Sequence, residues 1–415
     1  MKKILEYLKT KRAYEVIFFV LVSIGFVAWV IGLIAHGADG KQMELFFDKC
    51  SDFFADIINP MGYSAHRNVY TESFDVYNYG RFERAYPPIS YVIAYALSRI
   101  IDMQPYFDIE YFLDMNTNPQ LLIILIIAIV INVLVIYELI RSYKTGSNKV
   151  KVISALLICV SMPVLFTIER ANLLLLTMIF IIFYIFNYDS DNKIKKECAL
   201  MSLALAASFK ITPAVLGILL LYNKQWKDAI RAVIYGIIFG FVPFLFFDGG
   251  FSNIAEMFKN ASLNLSVYAS DEGTTLAAVV SSLGIEYTYR ISLIMKLITY
   301  VIAVFLLVAA VFYNKKWETI MAVTMVLLIV PSHSGYYCIL YILPALIAFL
   351  NEEKHSYSDL LVLAAMIFIM NDYQCYLTQN IFNYHMAIVL ILAVLMVRGI
   401  KNIIARIKLR NVKYS

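Results

Sequence analysis

The chain has 415 residues, of which 61% are hydrophobic and 16% charged, with a net charge of +5 and a mean hydropathy of +0.72. A soluble chain carries about a quarter charged residues, so this one cannot cover a water-exposed surface and a soluble globular fold is excluded. Its basic residues fall in short clusters between apolar runs, as orientation signals do, which excludes nucleic acid as a partner.

Apolar runs of helix-spanning length recur along the chain, and such runs span lipid as helices rather than as barrel strands. Lys2, Lys3, Lys9, Lys11 and Arg12 place the leading segment in the cytoplasm. The first run, 14–36, is too long for a cleaved signal peptide and lacks a small-residue cleavage site, so it crosses outward. Residues 37–118 then form a first outer loop. A helix returns over 119–140 and ends in Arg141, Lys144, Lys149 and Lys151. The next pair, 152–168 and 172–187, goes out and comes back to Lys193, Lys195 and Lys196.

The following stretch, "ECALMSLALAASFKITPAVLGILLLYNKQWK", has basic residues at both ends. It is too long for one helix and too short for two full crossings. Its centre holds Lys210 and Pro213, and a helix ahead of a proline ends near it, so a short hairpin with "KITP" at its outer tip is predicted. Helix 232–247 goes out, 248–290 forms a second outer loop, and 291–313 returns to Lys315 and Lys316. A second hairpin follows with "PSHSGYY" at its tip. A last pair, 359–371 and 384–398, ends in a basic tail. The expectation is a single all-α polytopic membrane domain of about twelve segments with broken hairpins and outer-face amphipathic helices. Both ends lie in the cytoplasm.

The five cysteines have no metal spacing. Cys159, Cys198 and Cys338 lie in apolar segments and read as small core residues, while Cys50 and Cys375 face outward, where a bridge between them is open. The charges that break the inside rule gather on the outer side: Arg67, Arg81, Arg84, Arg99, Arg170, Lys210 and Arg290, with His66 and His333. Acids there include Asp48, Asp52 and Asp56, spaced by four in "DKCSDFFADIINP". Ionisable groups at membrane depth are costly and mark function, so a polar chamber at the outer face is expected.

Several motifs carry a resemblance. "SDFFADIINP" is followed by "AYPPISYVIAYALSRI", then "ERANLLLLTMIFIIFYIF", then "LALAASFKITPAVLGILLLYNKQWKDA". "NASL" at 260–263 and "VPSHSGYYCILYILPAL" follow. In this order they resemble glycosyltransferase family 87, polytopic enzymes of the GT-C superfamily that use lipid-linked sugars. There are departures: the family's Trp after Pro331 is absent, His333 comes early with Tyr336 standing where the family's His would fall, and Arg170-Ala171 replaces the Gly before Asn172.

The resemblance implies inverting transfer of a hexose, mannose being the family's commonest donor sugar, from a polyprenyl phosphate to a lipid or glycan acceptor at the extracytoplasmic face. Such chemistry needs a carboxylate to take the hydroxyl proton, positive groups on the departing phosphate and an apolar groove for the polyprenyl tail. No metal or other cofactor is required for a monophosphate leaving group. Asp52 matches the family's first-loop Asp and is the expected base, with Asp56 its runner-up on the same helical face. Lys210, Arg170 and His333 are the expected phosphate contacts. Tyr86, Pro87 and Pro88, with Asn172 and Asn260, are expected along the acceptor or lipid groove.

Each has an ordinary alternative. The acids suit a solvated helix face, Lys210 can snorkel, Arg170 has Glu169 beside it, and His333 can be structural. Tyr86, Tyr91 and Tyr95 would then anchor a surface helix at headgroup level, and Asn260 and Asn264 match glycosylation acceptors. Two other function classes stay open: a transporter or lipid-linked-glycan flippase, for which broken midplane helices would serve, and a polysaccharide polymerase or ligase, which would use the outer arginines.

Overall fold

The structure is a computed structural model that describes residues 6–37, 53–71, 84–107, 112–267, 273–285, 288–331, 334–371 and 384–414. Asp48, Cys50, Asp52, His333 and Cys375 lie outside the described residues. Among those described, the regular elements are helical, with one isolated β-bridge between Thr10 and Lys354.

In chain order the helices are α1 (Lys11–His36), α2 (Ala55–Ser64), α3 (Pro88–Ser98), α4 (Gln104–Phe107), α5 (Pro119–Tyr143) and α6 (Asn148–Cys159). Next come α7 (Met162–Glu169), α8 (Leu174–Asn187), α9 (Lys193–Phe209), α10 (Ile218–Tyr222), α11 (Trp226–Phe241) and α12 (Asn253–Val267). The last are α13 (Leu276–Ser282), α14 (Tyr289–Ala309), α15 (Lys316–Ile329), α16 (Leu343–Leu350), α17 (Asp359–Met370) and α18 (Tyr384–Tyr414).

About twelve crossings are expected from the sequence, and the described helices support fewer by length and composition. Five described helices are long and apolar enough to cross a membrane: Lys11–His36, Pro119–Tyr143, Trp226–Phe246, Tyr289–Phe312 and Tyr384–Leu409. The bent pair α6 and α7, at 48°, makes a sixth if taken as one span. The remaining apolar helices run 10–17 residues. At 1.5 Å per residue they reach about 15–26 Å, short of a hydrocarbon core of about 30 Å. The chain is a multi-pass helical membrane protein.

The two predicted breaks are present. α9 ends at Phe209, Lys210 is extended (φ −141°, ψ 129°), and a 3-10 segment Thr212–Gly217 starts with Pro213. The second break, after α15, leads into the 3-10 segment Tyr336–Ile342. Cys159 and Cys338 are buried as expected, whereas Cys198 is exposed.

The chain forms two compact units, one of 1–45, 140–165 and 270–415, the other of 46–139 and 166–269. In the second, Phe54 just before α2 and Ile57, Ile58 and Met61 of α2 share a core with Tyr91 and Ala94 of α3, Leu121 and Leu125 of α5, and Phe244 and Phe247. The i, i+3, i+4 spacing of the α2 set puts one apolar face on α3. Tyr91 is fully buried there, edge-on to Tyr70 and Phe247, so it is a core residue and not a headgroup anchor.

The first unit holds a dense ionic network. The Asp359 carboxylate accepts from Lys315 Nζ (3.0 Å), Ser356 N (3.0 Å) and Ser356 Oγ (2.8 Å), pairs with His355 Nδ1 (3.1 Å), and is also bound by the Arg398 guanidinium. Arg398 reaches Glu318 at 2.6 Å. Tyr14 stacks on His355 at 3.7 Å and donates to the Ser356 carbonyl, and Lys144 pairs with Glu15. A buried carboxylate needs such partners, since burying it without them costs several kcal/mol; about 3–5 kcal/mol is lost when one partner of such a pair is removed.

Candidate active site

The candidate site lies within the second unit, where three helix ends meet. α7 ends at Glu169, with Arg170 following and Ala171 in the left-handed region (φ 46°). Ala171 N–H donates to the Ile168 carbonyl at 2.9 Å and Asn172 N–H to the Thr167 carbonyl at 3.1 Å. That paired pattern is a Schellman close, which normally places Gly at the left-handed position. Here an alanine holds it, at a cost of about 1 kcal/mol.

The carbonyls left over at the end of α7 are used at once by the start of α2. Phe54 N–H donates to Glu169 O at 3.0 Å, and Asp56 N–H to Arg170 O at 3.1 Å. Helix ends carry four unsatisfied groups each, and these two ends satisfy one another. Phe54 is also left-handed (φ 63°). Two non-glycine residues with positive φ therefore flank one junction, the kind of local strain that collects at functional sites.

Asp56 and Arg170 are joined side chain to side chain across this junction. Arg170 donates to Asp56 Oδ1 from Nη2 (2.8 Å) and Nε (3.2 Å). Asn172 donates from Nδ2 to Asp56 Oδ2 at 2.6 Å. The same Asn172 accepts the Leu174 N–H on Oδ1 at 2.8 Å, which caps α8. One amide thus fixes the start of α8 and orients the carboxylate. The N-termini of α2 and α8 both open onto the junction, and their positive dipole ends favour an anion there. Arg170 has Asp56 for its carboxylate partner, 114 positions away in sequence.

Tyr86, Pro87, Pro88, Lys210 and Asn260 belong to the same unit. Ser90 Oγ in the first turn of α3 donates to the Phe209 carbonyl at 3.0 Å, so the Tyr86-Pro87-Pro88 turn is tied to the break that carries Lys210. Pro88 takes the first helical position of α3, where its missing N–H costs nothing. Lys210 itself is partly exposed. Tyr70 OH donates to the Tyr86 carbonyl at 2.9 Å. Asn260 is fully buried, and its Nδ2 bridges the carbonyls of Tyr70 (3.1 Å) and Arg84 (3.2 Å). Asn260 is therefore an internal tie, and its match to a glycosylation acceptor is corrected: a glycan has no room at a fully buried amide. The side chain of Asn264 is outside the described residues.

Among the described residues, Arg67, Arg84 and Arg99 are each held by groups of this unit. Arg67 Nε donates to the Phe246 carbonyl at 2.7 Å, Arg99 binds the Ala65 carbonyl, and Arg84 lies over the Tyr63 ring at 5.2 Å. Each braces the fold of this unit; Arg81 lies outside the described residues.

Residues 85–331 match the model of a known family, described as Glycosyltransferase family 87. The chain belongs to glycosyltransferase family 87. It is a glycosyltransferase, and such an enzyme takes a sugar donor and an acceptor. No curated protein and no solved structure matches the chain. The family 87 match opens at the Tyr86-Pro87-Pro88 turn and takes in Arg170, Asn172, Lys210 and Asn260, while Asp52, Asp56 and His333 fall outside it.

The role of Asn172 as both cap and carboxylate donor escaped sequence reasoning. The signal for it was an Asn placed two residues before an apolar helix, within reach of its first N–H groups. Tyr70 carried no such signal.

Proposed function

We propose that this glycosyltransferase moves a hexose, mannose by family habit, from a polyprenyl phosphate to a lipid or glycan acceptor, with inversion at the anomeric carbon. The observation that carries the reading is the Asp56–Arg170–Asn172 cluster at the junction of α2, α7 and α8. A guanidinium pinned by a carboxylate is a rigid cation, and a rigid cation aimed at a departing phosphate acts without reorganising.

Both oxygens of Asp56 are engaged by donors, so its part in this scheme is to position Arg170. The base is then Asp52, four residues earlier in sequence, which takes the acceptor hydroxyl proton as the oxygen attacks the anomeric carbon. The bond from that carbon to the phosphate oxygen breaks, and the polyprenyl phosphate leaves with the added charge. Lys210 and Arg170 meet that charge. The Tyr86-Pro87-Pro88 turn and the half-buried apolar flank of α3 line the way in for acceptor or lipid tail, and Asn172 and Asn260 hold its walls. The reaction faces the extracytoplasmic side of a cell membrane, with both termini in the cytoplasm, as the basic clusters ask.

The test is transfer of radiolabelled mannose from polyprenyl-phosphate-mannose to membrane lipids by purified protein. Wild type should transfer, and Asp52→Asn should bind donor yet lose transfer. Full transfer by Asp52→Asn would remove Asp52 as the base.

A further inference from the structure

α18 is longer than a crossing requires. Its 31 residues reach about 46 Å at 1.5 Å per residue, against about 30 Å of hydrocarbon. The surplus is at the C-terminal end. Up to Arg398 the helix is packed and its charge is paired, with Glu318 and Asp359. At Gly399 it passes the last turn of α14, where an added Cβ would meet Ala309 Cβ at 2.8 Å and Phe305 Cζ at 3.1 Å. α14 ends at that alanine.

Beyond Gly399 the side chains open out. Ile400, Ile404 and Ile407 are about half exposed, and Lys401, Arg406 and Lys408 are exposed without an ion-pair partner among the described residues. At 3.6 residues per turn, Ile400, Ile403, Ile404 and Ile407 share one face. Lys401 and Lys408 flank that face on one side and Arg406 on the other. No acid occurs from 399 to the end of the sequence. Lys11, Lys144, Lys315 and Arg398 in the same unit each have a carboxylate, whereas the cations of this stretch share one helix end with no acid on it.

We propose that residues 400–409 of α18 are a docking surface for anionic phospholipid headgroups. The isoleucine face meets the acyl boundary, and the flanking cations take phosphates on both sides. A second copy of the helix is the poorer occupant, because it would set cations against cations with no acid to oppose them. Lipid phosphates supply the missing charge to both flanks together.

The experiment uses the full chain in mixed micelles of phosphatidylglycerol and phosphatidylcholine, with the retained lipids quantified by mass spectrometry. Wild type should retain phosphatidylglycerol preferentially at low salt and lose the preference at high salt. Each basic side chain near an anionic surface strengthens binding roughly fivefold, so K401Q/R406Q/K408Q should reduce the preference roughly tenfold or more with an unchanged unfolding midpoint. A triple variant that keeps the wild-type preference overturns the proposal. So does a wild-type preference indifferent to salt, which decides the matter even if the triple variant does not fold. Dimers that dissociate in I404Q/I407Q, without any lipid preference, would assign the face to a second copy instead.

Discussion

Replacing Asp56 by Asn tests the junction directly. The carboxylate accepts from opposite sides, from Arg170 on Oδ1 and from Asn172 on Oδ2. An amide has one acceptor oxygen. Turned one way it serves Arg170 and sets its own NH2 against the Asn172 NH2; turned the other way it sets NH2 against the guanidinium. One charged or amide donor is therefore stranded in either orientation. The side chains of Asp56 and Arg170 are 14% and 23% exposed, so solvent screens the loss only in part. A hydrogen bond to a charged group is worth about 1.5–3 kcal/mol, and a net cost of about 2 kcal/mol is expected. In a unit of about 200 residues that lowers the unfolding midpoint by about 4–8 °C. The assay is thermal unfolding of the purified protein followed by tryptophan fluorescence, run on Asp56→Asn, Arg170→Gln and the double variant. The double variant should lose less than the sum by about 1 kcal/mol or more. Strictly additive losses would refute the claim that these side chains act as one unit.

Asn172→Asp keeps the cap on α8 but sets a carboxylate 2.6 Å from Asp56 in place of a donor; a loss of about 2 kcal/mol is expected in the same unfolding assay, with sugar transfer reduced alongside. Asn260→Ala strands the buried carbonyls of Tyr70 and Arg84, so chemical or thermal unfolding should report a loss of about 2–4 kcal/mol. Gly273 has φ +96° and leaves no space for a side chain, since a Cβ would stand 2.0 Å from the Ser334 carbonyl oxygen. Gly273→Ala should therefore cost about 2 kcal/mol or more, read as a lower unfolding midpoint, while Ser334→Ala at the same crossing should cost less.

Apolar length made α1, α5 and α14 visible in the sequence, because a helix that meets lipid along its whole length must be apolar along its whole length. The breaks at Lys210 and after α15 were visible because proline acts locally. Shorter helices are harder to read: α8 is as apolar as a span, and only its length of 14 residues separates it from one. The site divided in the same way. Arg170 and Asn172 were nameable, but their joining to Asp56 was not, since tertiary pairing over 114 positions leaves no periodic trace. Arg170 instead had a sequence neighbour, Glu169, that offered a sufficient local partner on paper. Tyr91 misled for a related reason: a tyrosine on an amphipathic helix reads the same whether its ring meets headgroups or a core.

The ionic network around Asp359 also sets an order of manufacture. The second unit is complete once residue 269 has been made, whereas the first needs residues drawn from 1–45, 140–165 and 270–415. Glu318 and Asp359 leave the ribosome 80 and 39 residues ahead of Arg398. At about 5–20 residues per second, Asp359 waits about 2–8 s for its guanidinium. During that interval two carboxylates destined for burial remain without their shared cation and cannot be sealed in at low cost. The unit holding Asp56, Arg170 and Asn172 is thus free to assemble first, and the arrival of α18 closes the other one last.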